Sequence, residues 1–176
     1  MSTIFISHCS DAKPEAIKFK ELLREASGQK PETELKLFLS SDWDSLKSGR
    51  PWFEPLIEEV QSSQETFVLI THERHFANLW INFEVGLALG RKDGSPKIFV
   101  FGGVPWDKLE YPLRGLHLID SGDSSRWVAD IRNAVTPTNP ETFNDDLVQK
   151  FGCFFRQCSV RKPNCLPSCK APIGQN

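Results

Sequence analysis

Two short segments of the chain are apolar at consecutive positions: Thr66-Phe67-Val68-Leu69-Ile70 and Ile98-Phe99-Val100-Phe101 after Lys97. A strand with one wet face alternates apolar and polar side chains. Unbroken apolar runs of this length belong to strands covered on both faces, as in parallel sheets flanked by helices. Two further β-rich runs, Thr3-Ile4-Phe5-Ile6-Ser7 and Leu35-Lys36-Leu37-Phe38-Leu39, precede them, and a weaker one, Leu116-His117-Leu118-Ile119, follows. Helical patterns fall between. Ala16, Ile17, Phe19, Leu22, Leu23 and Ala26 recur at helical spacing, with Pro14 in the first turn and Gly28 at the stop. Phe53, Leu56, Ile57 and Val60 form a second helix, the segment from Trp80 to about Gly90 a third, and Trp127 to Val135 a fourth.

This alternation predicts an α/β, flavodoxin-like fold: a five-stranded parallel sheet with helices on both faces and right-handed crossovers. The strands are expected at residues 3–7, 35–39, 66–71, 97–101 and 116–119, with Phe19, Leu23, Leu56, Val60 and Trp127 in the core. Pro137 and Pro140 then break the chain, and Phe143, Leu147, Phe151 and Phe154 or Phe155 form a helical stripe expected to dock on the same domain. The organisation is thus a sheet domain over 1–136 and, over 137–176, a C-terminal helix with an irregular tail containing Cys and Pro.

The chain has 176 residues, 39% of them hydrophobic and 25% charged, and a formal charge of -2. That charge supplies no field for nucleic acid or an anionic membrane. No stretch approaches the roughly 20 apolar residues that span a bilayer. The N-terminus enters a strand with no basic region or cleavage site, so a cytoplasmic location is expected. Cys9 stands apart, whereas Cys153, Cys158, Cys165 and Cys169 crowd the C-terminal end. Their spacings lack the paired CxxC knuckles of a zinc site, and the long cysteine-poor body does not suit a disulfide framework. Free thiols are the expectation.

One acidic residue interrupts the third helix. Trp80 and Glu84 are four residues apart and project together. Leu79, Ile81, Phe83, Val85, Leu87 and Leu89 cover the remaining faces, and Gly86 suggests close backbone approach. A helix of this kind is expected to be largely buried. A carboxylate within it is costly unless paired, hydrogen-bonded or kept in a cleft for use. Glu84 is therefore the candidate for chemistry; the alternative is a Glu facing water.

In open parallel sheets ligands collect at the carboxyl ends of strands. The loops after Ser7 and Leu39 and the segment after Ile70 begin there. Backbone N–H groups of Ser10, Asp11 and Ala12 at a helix start suit an anion. Lys47 and Arg50 on the second loop add positive charge, or else simply face solvent. Trp80 is either a cleft wall or a core anchor, and His8 either lines the cleft or is polar filler. Cys9 has no base at a fixed spacing, so thiol catalysis is not expected. His72 and His75 have no carboxylate or cysteine set nearby in sequence, and no metal site is expected.

Read in order, Ile4-Phe5-Ile6-Ser7-His8-Cys9-Ser10-Asp11 resembles the first box of Toll/interleukin-1 receptor (TIR) domains. Phe38-Leu39-Ser40 with Gly49-Arg50-Pro51-Trp52 is similar to that family's second strand and following loop. Ile57, Ser62-Ser63 and Phe67-Val68-Leu69-Ile70-Thr71 fit its next helix and strand. Asn78-Leu79-Trp80 through Glu84 resembles its Ser-x-Trp-x-x-x-Glu segment, with Asn where many members carry Ser. The resemblance covers about residues 1 to 135 and extends to stand-alone bacterial TIR proteins of anti-phage defence, such as the Thoeris type.

The resemblance implies an NAD-consuming enzyme that gives ADP-ribose or a cyclic ADP-ribose-type signal. Glu84 would be catalytic, and Ser7, His8, Ser10, Asp11, Lys47, Arg50 and Trp80 would bind NAD, which is substrate rather than cofactor. It also implies TIR–TIR self-association and a downstream effector responding to the product. One carboxylate suits this chemistry. Most glycosidases need a second carboxyl group to protonate the leaving alcohol, whereas nicotinamide is already cationic and departs neutral. The alternatives are a non-catalytic TIR module acting by assembly, and a nucleoside or nucleotide glycosyl-transfer enzyme.

Overall fold

The computed structural model describes residues 2–42, 53–72, 75, 77–91, 97–102, 108–109, 111–120, 124–135 and 140–158. Strand β3 (Glu65–Leu69) is buried at every position, as unbroken apolar character requires of a strand covered on both faces. Its neighbours are β1 (Ser2–His8) on one side and β4 (Lys97–Gly102) on the other. Strand β2 (Leu35–Leu39) lies outside β1 and β5 (His117–Asp120) outside β4, giving the order β2-β1-β3-β4-β5. Every pairing is parallel. This is the strand order of flavodoxin-like doubly wound sheets.

Successive side chains of a strand point to opposite faces, so each strand feeds two cores. Ile4 and Ile6 of β1 enter one, with Phe67 and Leu69 of β3; Phe5 and Val68 enter the other. The first core is closed by α1 (Lys13–Ala26), α4 (Ser124–Val135) and α5 (Asp145–Cys158). Helices α2 (Phe53–Ser62) and α3 (Leu79–Leu89) close the second. Phe19, Leu23 and Trp127 are buried in the first core, and Leu56 and Val60 in the second.

Phe19 organises the first core. Its ring lies 5.3 Å from Phe101, 5.4 Å from Phe154, 5.8 Å from Phe67 and 6.0 Å from Phe155, centroid to centroid. Helix α5 thus docks through its aromatic stripe onto α1 and the sheet. The α1 stop is set by Gly28 at φ 71°, with its N–H bonded to the Glu25 carbonyl and the Gln29 N–H to the Arg24 carbonyl. Only a residue tolerating the left-handed region closes a helix end this way.

The sequence misjudges α3. Leu79 is 85% exposed and Leu89 is also exposed, so the helix is not covered on all faces. What turns inward is the stripe Ile81, Glu84, Val85 and Ala88, spaced as one helix face. Nor does Gly86 admit another backbone, because a Cβ placed there would meet nothing within 4 Å. Among the described residues no helix is long and apolar enough to cross a membrane.

Truncating the α5 stripe tests this packing. Phe155→Ala should lower the unfolding free energy by about 3–5 kcal/mol. Tyr111→Ala, at a ring residue 76% exposed, should stay within about 0.5 kcal/mol. Urea denaturation of both variants measures the contrast.

Candidate functional site

Helix α3 begins on a side-chain cap. The Asn78 side-chain oxygen accepts the N–H groups of Trp80 at 3.0 Å and Ile81 at 3.1 Å. Ser and Asn cap helices about equally well, which explains how Asn78 fills a position where Ser is common in the similar pattern. One turn further on, Glu84 lies in the inward stripe with 0% exposure. Ser7 shares the face of Phe5 on β1, the side that α3 covers, and its hydroxyl donates to Glu84 Oε2 at 2.5 Å. Glu84 Oε1 is buried and has no hydrogen-bond partner among the described residues.

Burial pushes the Glu84 carboxyl up to about 8. The Ser7 hydroxyl, then the Trp80 indole and the Ser40 hydroxyl, pull the other way by favouring the charged form. Ser40 follows Leu39 on the same strand face as Phe38. Side chains from the ends of β1, β2 and α3 therefore converge on one carboxyl group.

Above this group is a cavity of about 630 Å³, within the range of small-molecule sites. Its described lining is His8, Cys9 and Ser10 after β1, Ser40 and Ser41 after β2, and Asn78 and Trp80 at the start of α3. Glu84 and Ser7 are not part of that lining; they sit behind it. Trp80 belongs to both zones, half-buried on the cavity and packed at 5.6 Å on the Phe83 ring. It lines the cavity and also packs against the second core.

His8 is a structural clip as well as a lining residue. Its Nδ1 lies 2.8 Å from Ser40 Oγ and its Nε2 3.1 Å from Ser41 Oγ. Burial holds its pKa below the usual histidine range, so near neutral pH the ring is uncharged and joins the ends of β1 and β2 by neutral hydrogen bonds. Ser40 and Ser41 were not among the residues singled out from sequence. The signals were their position at the carboxyl end of β2 and, for Ser40, its place in the quoted Phe38-Leu39-Ser40 motif.

Two groups of the turn after β1 are engaged within the protein. Residues Ser10–Ala12 form a tight 3-10 turn whose Ala12 N–H bonds the Cys9 carbonyl at 2.9 Å, so that donor is not offered to an anion. Asp11 turns to His75, its Oδ1 3.0 Å from Nε2. Lys47 and Arg50 lie outside the described residues.

No family model and no curated protein matches this chain.

The sequence offered no carboxylate or thiol for His75, but the fold supplies both. Ligand atoms of Cys9, Asp11 and His75 all lie within 4.8 Å of one another. The C-terminal cysteines do not converge where described. Cys158 is buried in the first core, where desolvation pushes its thiol up to about 12, while Cys153 is only half-buried and accepts from Arg156 at 3.2 Å. Cys165 and Cys169 lie outside the described residues.

The raised Glu84 pKa has a sign for stability. The unfolded chain releases this proton near the ordinary carboxyl value, whereas the fold holds it up to about 8. Ionisation therefore opposes folding, and stability falls as pH rises through that window. Glu84→Gln, which cannot ionise, should unfold close to wild type at pH 5 and at a higher temperature than wild type at pH 8.5. Thermal melts across that range would reveal a flat difference if the carboxyl titrated normally.

Proposed function

We propose that the chain is a TIR-type NAD-consuming enzyme that cleaves the nicotinamide N-glycosidic bond. The observation that carries this reading is Glu84 itself: a fully buried carboxyl with one oxygen uncommitted, directly behind a cavity at the carboxyl ends of parallel strands. The parallel sheet order supports it in addition, because it places the ends of β1 and β2 beside the start of the helix that carries Glu84.

In this reading the pyridinium ring leaves with the electron pair of the ribose–nitrogen bond and becomes neutral nicotinamide. Positive charge develops on the ribose, and Glu84 as carboxylate stabilises it across a low-dielectric gap. Water then adds to the anomeric carbon and loses a proton to give ADP-ribose, or an adenine nitrogen adds to give a cyclic product. Glu84 has no exposure, so in this reading the side chains between it and the cavity move before substrate reaches it. His8 and Ser10 line the space for the rest of the dinucleotide. Self-association between TIR surfaces, a cytoplasmic defence role and a product-sensing effector rest on the resemblance alone.

Incubation with NAD and chromatography of the products test the reading. Glu84→Gln should lower kcat on the order of 100-fold or more while the protein stays folded. Asp42→Asn, at a carboxylate paired to Lys20 at 2.8 Å, should retain activity. Normal NAD turnover by the Gln variant overturns the mechanism. Because the charged form is the active one, kcat/KM should rise with pH and level off above about 8. Ser7→Ala removes a donor that favours the charge, so it should move that inflection to higher pH.

A further inference from the structure

We infer that Cys9, Asp11 and His75 form a binding site for a single zinc ion. The three come from two segments that the sheet brings together: Cys9 and Asp11 follow β1, and His75 follows β3, strands paired through His8 and Leu69. Cys9 and His75 are buried, whereas the Asp11 carboxylate is 40% exposed and leaves a path from solvent. Thiolate sulfur, imidazole nitrogen and carboxylate oxygen are the donors zinc takes from proteins. Around a tetrahedral ion such donors stand roughly 3.3–3.6 Å apart. Here they lie within 4.8 Å of one another and His75 Nε2 is already 3.0 Å from Asp11 Oδ1. Closing on an ion thus requires a contraction on the order of 1 Å.

The surroundings of His75 suit the role. Its Nδ1 lies 3.4 Å from Thr71 Oγ1. Without an ion, the short Nε2 contact to Asp11 is an N–H donating to the carboxylate. When an ion replaces that proton, Nδ1–H can donate to the Thr71 hydroxyl and hold the tautomer whose Nε2 lone pair faces the metal, as outer partners of metal-binding histidines do. Coordination converts the Cys9 thiol to thiolate, with its proton released to solvent as the zinc–sulfur bond forms. Three protein donors leave the fourth position of the ion for water or an anionic oxygen. Since Cys9 also lines the cavity, the ion stands at the cavity wall and adds positive charge there. None of this depends on the NAD reading.

The full chain, stripped of metal with a chelator, is titrated with cobalt(II) as an absorbing probe, then with zinc in competition. Wild type should take up one ion per chain at this site and show thiolate-to-cobalt charge-transfer absorption in the near ultraviolet, lost on adding zinc. The combined Cys153→Ser, Cys165→Ser and Cys169→Ser variant should keep that absorption, and Cys9→Ser should abolish it. Asp11→Asn, at an exposed side chain, tests the site without threatening the fold and should weaken zinc binding about 10-fold or more. Zinc should raise the melting temperature of wild type more than that of Asp11→Asn at equal concentration. No thiolate band from wild type at millimolar cobalt overturns the proposal. So does a band that disappears in the tail variant, or zinc affinity unchanged by Asp11→Asn.

Discussion

The Glu84 carboxyl group is enclosed without exposure between the end of β1 and the inward stripe of α3, and its neighbourhood is arranged around the cost of putting it there. An ionisable group in a low-dielectric pocket is held neutral by desolvation unless donors or cations compensate. Here the Ser7 hydroxyl, with smaller help from the Trp80 indole and the Ser40 hydroxyl, compensates in part. The group is therefore balanced between two protonation states near physiological pH. A positive charge arriving beside it shifts the balance towards carboxylate, so entry of a cation and loss of a proton are linked events.

The fold positions this group by parity. Phe5 and Ser7 on β1 share a face with Phe38 and Ser40 on the β2 side, and each strand gives one aromatic ring to the core before giving a hydroxyl to the site. The two rings stack at 5.9 Å. The same alternation that builds the second core thus delivers two serines to one place as the strands end. His8 then fastens those ends together. Its neutral ring bonds Ser40 and Ser41, so the cavity rim and the surroundings of Glu84 share a side chain, Ser40.

Periodicity exposed the larger elements because each is repeated evidence of one burial environment. Continuous apolar runs marked β3 and β4, and helical spacing marked α1 and the aromatic stripe of α5. The spacing from Trp80 to Glu84 identified the central carboxyl, since a charge in an apolar helix is visible in one dimension. Individual surroundings were not legible. An exposed Leu79 and a buried Glu84 look alike on a helix that is apolar in every direction, until the sheet chooses which stripe it covers. The clip from His8 to Ser40 and the grouping of Cys9, Asp11 and His75 arise from strand neighbourhood, which local sequence does not encode. The flavodoxin-like strand order brings β1 beside both β2 and β3, and that adjacency creates both groupings.

The aromatic cluster around Phe19 has a consequence for how the chain is made. Phe19 leaves the ribosome early, whereas its ring partners Phe154 and Phe155 come from the last described helix. Until α5 has emerged, one face of the sheet has only α1 and α4 as cover, and the sides of Phe19 and Phe101 that meet Phe154 and Phe155 are open to water. During synthesis the domain thus passes through a stage with an exposed aromatic surface, which favours chaperone capture and disfavours stepwise folding from the N-terminus. Maturation waits on its C-terminal helix.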